Sequence, residues 1–285
     1  MQRIIISASR RTDIPAFYMP WFMAQIEQGY FEVINPYNRR TFHVTAHTDQ
    51  IHTIVFWSKN FGPFLDGKYD QHLTSKGYRL FFNFTVNSPH ALLEPNVAPL
   101  VARLDQLTRI ADTYGPQTIQ WRFDPICYLS RDQGKMETNL DQFEKIARHA
   151  AQCGVTVCIT SFVDLYQKVQ RRQAGIPLKL YDPPLNEKVA QIVSMSRLLS
   201  ELGIRLDLCC EKDLLTALPA HATVRSATCI PSELLARLFG NDITLKKDSG
   251  QRRAKGCGCG ISKDIGSYSL HPCKHNCLFC YANPI

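Results

Sequence analysis

Short apolar runs rich in β-branched residues recur along the chain at residues 3–7, 51–57, 80–86, 118–123, 155–160, 204–209 and 223–227. Their unbroken apolarity predicts strands buried on both faces, as in a parallel sheet. Between several of them apolar residues return at helical spacing. Residues 97–114 carry Leu100, Val101, Leu104, Leu107, Ile110 and Ala111 before Gly115. Residues 138–153 open with Thr138 and Asp141 at capping-box spacing, then carry Leu140, Phe143, Ile146, Ala147 and Ala150 before Gly154. Residues 185–202 carry Val189, Ile192, Val193, Leu198 and Leu199 before Gly203, and a shorter helix is expected at residues 232–239 before Gly240. Glycine takes the left-handed position past a helix end without a Cβ penalty. Helix, glycine, strand, three times over, is the pattern of parallel βαβ units. Seven such strands predict an α/β protein with a full or partial TIM-like (β/α) barrel; a doubly wound open sheet is the alternative. The barrel is assigned to residues 1–245, and a cysteine-rich tail to residues 246–285.

In β/α barrels the functional groups sit on loops at the C-terminal ends of the strands. Polar residues gather at those positions here. The loop at 9–15 contains Arg10, Arg11 and Asp13; Ser58, Lys59 and Asn60 follow the second strand; Thr85 and Asn87 follow the third. Arg122 and Asp124 close the fourth, Ser161 and Asp164 follow the fifth, and Glu211 and Lys212 the sixth. Arg122 and Asp124 stand two apart, hence on one face of their strand. Two charges in an otherwise apolar strand are costly unless paired or used. Arg122, Asp124 and Lys59 are therefore candidate catalytic residues, set against the alternative of a structural ion pair.

Thirty-three Lys and Arg against 25 Asp and Glu give a net charge of +8. The basic pairs at residues 10–11, 39–40, 171–172 and 252–253 are scattered, so they favour an anionic ligand, nucleic acid among the options, only in general terms. No apolar run approaches the ~20 residues of a membrane span, and the N-terminal run is too short for a signal peptide. A cytoplasmic, reducing location is expected. There is no G-x-S-x-G, P-loop or H-E-x-x-H motif.

The eleven cysteines are distributed unevenly: five of them, Cys257, Cys259, Cys273, Cys277 and Cys280, fall in the tail. In a reducing compartment such clustering points to metal rather than to disulfides. Cys127, Cys153 and Cys158 are expected to be small buried hydrophobes. The tail reads C-x3-C-x2-C from Cys273 through Cys277 to Cys280, with Phe279 before the third cysteine. Three thiolates at this spacing can wrap one [4Fe–4S] cluster and leave one iron open. Zinc completed by His271 or His275 is the alternative.

The run resembles the cluster motif of radical S-adenosylmethionine (radical SAM) enzymes. The resemblance implies that the open iron chelates S-adenosylmethionine, that an external electron donor reduces the cluster, and that a 5′-deoxyadenosyl radical takes a hydrogen atom from a substrate. It also implies a full or partial β/α barrel. Arg10, Arg11, Asp13, Ser58, Asn60 and Phe279 are the candidate cofactor-binding residues. Two features depart from the radical SAM pattern: the motif ends the chain instead of following the first strand, and no Gly-Gly dipeptide is present. The tail must then fold back over the barrel mouth. Ser7-Ala-Ser-Arg-Arg-Thr-Asp-Ile-Pro15, Trp57-Ser-Lys-Asn60, Trp121-Arg-Phe-Asp-Pro125 and the closing cysteines together resemble a bacterial family of unknown function, domain of unknown function 1848. The Arg-Phe-Asp-Pro segment is also similar to a piece of the DNA-repairing spore-photoproduct-lyase branch.

Gly256-Cys257-Gly258-Cys259-Gly260 adds a C-x-C pair between glycines that allow the backbone to bend round a ligand. With Cys229 and Cys209 or Cys210 it makes a candidate second site for an Fe–S cluster or zinc. Residues 262–266 are expected to be a linker or a pocket wall. The leading expectation is a radical SAM-type enzyme with an unknown substrate. The alternative is a non-catalytic Fe–S or zinc protein that binds nucleic acid.

Overall fold

The computed structural model describes residues 2–35, 38–131 and 136–283. Eight strands form one parallel sheet: β1 (Ile4–Ala8), β2 (Ile51–Ser58), β3 (Leu80–Thr85), β4 (Ile119–Ile126), β5 (Val157–Phe162), β6 (Arg205–Leu208), β7 (Arg225–Ser226) and β8 (Lys263–Asp264). Their spatial order is β7-β6-β5-β4-β3-β2-β1-β8. Neighbours in space are neighbours in sequence, apart from β8, which returns beside β1. A doubly wound sheet needs a point where the strand order reverses, and this order has none. Helices connect the strands, among them Leu100–Tyr114, Phe143–Gln152, Leu185–Glu201 and Ser232–Phe239.

Alternate residues divide the two faces of the sheet. Ile6, Ala8, Ile54, Phe56, Phe82, Phe84, Trp121 and Phe123 pack outward, against the helices. Phe61, Phe64, Phe82 and Phe84 meet there edge to face with ring centroids 4.9–6.3 Å apart, and each buried ring contributes ~1.5–3 kcal/mol. The opposite parity, Ile5, Val55, Phe81, Val157 and Ile159, packs with Ala227, Cys229, Ile230 and Ile243. The sheet is curled: Asn83 of β3 and Gln120 of β4 donate across it to the carbonyls of Cys229 and Thr228, past the end of β7. Among the described residues β7 and β8 do not pair, so strand pairing does not close into a ring. One backbone bond, from the Gly260 N–H to the Ile230 carbonyl (3.0 Å), crosses the seam.

Several local expectations are corrected. The helix expected from Thr138 starts at Phe143. Glu137–Thr138 is instead a strand paired with Tyr128–Ser130, and the Asn139 side chain binds the Cys127 N–H and Pro125 carbonyl. The helix expected from residue 97 starts at Leu100 after Pro99, whose ring disfavours helical geometry in the residue before it. Val101, expected on its buried stripe, is exposed. Residues 263–264, expected in a linker, form β8, because Asp264 accepts from the Ser7 and Ser9 hydroxyls and the Arg10 N–H (2.7–3.0 Å). The tail thus supplies a strand to the sheet. The hairpin of Tyr30–Ile34 with Thr41–Thr45 lay outside the expected elements. Among the described residues no helix is long and apolar enough to cross a membrane.

Candidate active site at the C-terminal ends of the strands

A cavity of about 500 Å³ opens at the C-terminal ends of the strands, within the usual size range of small-molecule sites. The inward parity of the strands decides which side chains reach it: Trp57, Thr85, Arg122, Asp124, Ser161 and, after β6, Cys209. Arg122 is buried and ion-paired with Asp124, which also accepts from Ser161. Burial would lower the Arg122 pKa, but Cys229 and Asp124 outweigh it and hold the guanidinium charged. Arg10 and Arg122 each lie 5.3 Å from the centre of the Trp57 ring.

Lys59 is part of a second buried charge network. Its ammonium lies 2.5 Å from Glu94, and Glu94 accepts from Asn87, whose amide group brackets the backbone of Asp124. Burial alone would lower the Lys59 pKa, but Glu94, followed by Cys277, raises it. Lys59 also stands 5.4 Å from the Phe279 ring centre. Glu94 had no signal in the sequence, since it lies in an irregular loop without periodicity.

Residues 267–283 fold back over the cavity mouth. Tyr18 donates to the Pro272 carbonyl (2.7 Å), Asn96 to that of Lys274 (3.0 Å), and Tyr281 to that of Arg10 (2.7 Å). Arg172 donates to the carbonyls of Cys277, Leu278 and Cys280 at 2.6–3.0 Å. In the sequence Arg172 was only half of a basic pair. Asp13 accepts from Ser58, the Lys59 and Ala16 N–H groups, and His275 Nε2 (2.7 Å). Asp13 and Ser58 line the cavity, yet their polar atoms hold this junction together. Of the other candidate cofactor-binding residues, Arg10 and Phe279 line the cavity. Arg11 and Asn60 are not among its lining residues: Arg11 donates to the Gly266 carbonyl, and Asn60 accepts from Gln106 and Gly62.

Cys273, Cys277 and Cys280 line the cavity on the tail side. Burial pushes all three thiols up, Cys273 to about 12, and Cys277 is raised further by both of the others. A coordinating metal removes such a proton outright. The two histidines of the tail differ in their surroundings. Both ring nitrogens of His275 are engaged, by Asp13 and the Asn96 carbonyl. His271 is tilted against Trp21 (ring centroids 4.0 Å apart), does not line the cavity, and has a buried Nδ1 without a hydrogen-bond partner among the described residues. Among the described residues no three His, Cys, Asp or Glu side chains converge as ligands of a single metal ion.

Cys209, Cys210, Cys229, Cys257 and Cys259 line the opposite wall. Cys229 Sγ is 3.8 Å from Cys209 Sγ and 2.8 Å from Arg122 Nη1. The three glycines around Cys257 and Cys259 serve different ends. Gly256 takes a left-handed φ of 91°, whereas a Cβ on Gly260 would meet Ser232 Oγ at 1.7 Å.

Fold and site together define an α/β protein with a cysteine-walled cavity at the C-terminal edge of a curled parallel sheet. The chain belongs to the family described as domain of unknown function DUF1848, whose model matches residues 5–282. No curated protein matches the chain. Among solved structures, D-allulose 3-epimerase from Methylomonas sp. is 10% identical over 85% of this chain and 71% of its own, with a TM-score of 0.37. The carboxyl transferase domain of Rhizobium etli pyruvate carboxylase is 10% identical over 90% of this chain and 45% of its own, with a TM-score of 0.28. Likenesses this loose carry no argument about function.

Proposed function

We propose that this chain is a radical SAM-type enzyme. In this reading the curled sheet is a (β/α) barrel left open between β7 and β8. Cys273, Cys277 and Cys280 hold a [4Fe–4S] cluster, and the cavity takes S-adenosylmethionine and a substrate. One observation carries the reading: the three thiols of the tail line the cavity that Arg122, Asp124 and Ser161 line from the strand ends. Such a cluster supplies, when bound, the one-electron reductive cleavage of S-adenosylmethionine.

The chain's own residues would do the rest. Arg172 and Asp13 fix the tail loop by backbone and histidine contacts, so the three thiols keep their places. Lys59 sets a positive charge beside Cys277 and offsets the negative charge of bound thiolates. Phe279 and Trp57 supply apolar walls. Arg122, held by Asp124, offers a donor to an anionic substrate group, and Asp124 with Ser161 offers an acceptor and a donor to a polar one.

The test uses anaerobically reconstituted, dithionite-reduced protein supplied with S-adenosylmethionine. 5′-Deoxyadenosine is measured against the Cys277→Ala variant. Product that depends on Cys277 supports the reading. A chain that holds its cluster and yields no product refutes it.

A further inference from the structure

The five cysteines opposite the tail are not used by this proposed chemistry. They come from three places: Cys209 and Cys210 after β6, Cys229 after β7, and Cys257 and Cys259 before β8. All five line one cavity. Cys209 Sγ lies 3.9 Å from Cys210 Sγ and 3.8 Å from Cys229 Sγ. Cys259 neighbours Cys229 and Cys257, and Cys257 neighbours Cys210. Cys210 takes a left-handed φ of 61°. In an extended strand its thiol and that of Cys209 would point to opposite faces.

The surroundings are prepared for negative charge. Arg122 Nη1 donates to Cys229 Sγ at 2.8 Å. Arg10 stands beside Cys259, with its Nη2 buried and without a hydrogen-bond partner among the described residues. Two buried guanidiniums turned onto these sulfurs call for negative charge there. Thiolates of a metal centre would match them. The backbone brings the C-x-C loop close to residues 227–232: a Cβ on Gly260 would meet Ser232 Oγ at 1.7 Å, and one on Gly258 would lie 3.0–3.2 Å from Thr228 Oγ1 and the Ala227 carbonyl.

From this geometry we propose that Cys209, Cys229, Cys257 and Cys259 hold a second iron–sulfur cluster, which also fastens the seam between β7 and β8. The proposal stands whether or not the tail binds its own cluster.

Iron and acid-labile sulfide per chain decide it, measured on full-length protein isolated anaerobically. Two [4Fe–4S] clusters predict about eight irons per chain. Removing either set by Cys257→Ala with Cys259→Ala, or by Cys273→Ala with Cys277→Ala and Cys280→Ala, should leave about four. Cys158→Ala, a buried thiol outside both sets, should leave all of them and controls for folding. Iron unchanged in the Cys257/Cys259 double variant overturns the proposal. So does a wild-type chain with about four irons, all lost with the tail cysteines, and so does zinc or a disulfide in place of the second cluster. Iron unchanged in the tail variant would instead refute the tail reading alone.

Discussion

Replacing Glu94 by Gln keeps the shape of the side chain and removes the charge facing Lys59. The pair is separated by 2.5 Å, with side-chain exposures of 16% for Lys59 and 3% for Glu94. Breaking a fully buried pair from one side costs about 3–5 kcal/mol, because the remaining charge is stranded. Lys59 keeps some contact with solvent and stays near Cys277, so the lower end applies, about 2–3 kcal/mol. For a chain of this size each kcal/mol moves the melting temperature by about 2–4 °C, so Glu94→Gln should melt roughly 5–10 °C lower at pH 7. The assay is a double-mutant cycle with Lys59→Met. The double variant should be more stable than the sum of the two single losses by about 2 kcal/mol, since neither charge is then stranded. The pH dependence supplies a second test. The folded Lys59 pKa is raised, so the pair's stabilisation is fully present below the ordinary lysine value of about 10.4 and is lost as pH rises through the folded value. In Glu94→Gln, burial lowers the Lys59 pKa, and the gap to wild type should narrow in alkali. Purely additive single losses would refute the reasoning.

Other perturbations test separate parts of the structure. Gly260→Ala places a Cβ 1.7 Å from Ser232 Oγ; it should cost about 1–3 kcal/mol, relieved in part by Ser232→Gly, and an unchanged melting temperature would contradict the close approach. Arg172→Ala releases the carbonyls of Cys277, Leu278 and Cys280; amide exchange should rise across the tail with the sheet unchanged, and equal protection in both proteins would show that Arg172 does not fasten the tail. Burial lowers the pKa of His52, whose ring faces the Gly240 carbonyl and Asp242. Its neutral form is therefore built into the fold, and stability should fall as pH drops below about 6.5, where the unfolded histidine protonates. His52→Gln should flatten that slope, and an unaltered slope would locate the acid sensitivity elsewhere.

Seven of the eight sheet strands announce themselves as apolar runs, because a strand buried on both faces must be apolar throughout. Three long helices and their glycine stops were legible for a similarly local reason. Gly115, Gly154 and Gly203 all take positive φ (71–81°), which a side chain would oppose. That Cys273, Cys277 and Cys280 stand together was legible from spacing alone, since residues within one short loop need no tertiary structure to be neighbours; that they line the cavity was not. What the sequence could not decide was parity and long-range pairing. β8 is two residues long and has no apolar signature; it is a strand because Ser7, Ser9 and the Arg10 N–H supply partners for Asp264. Asn60 and Arg11 stood beside true cavity residues in the chain, but loop geometry sends their side chains to Gln106 and Gly266. The partners of Glu94 and Arg172, and the five cysteines from three loops, are brought together only by the curling of the sheet. Local spacing fixes which groups a short loop can offer; the distances between loops depend on how the strands pair and twist, and those are properties of the whole fold.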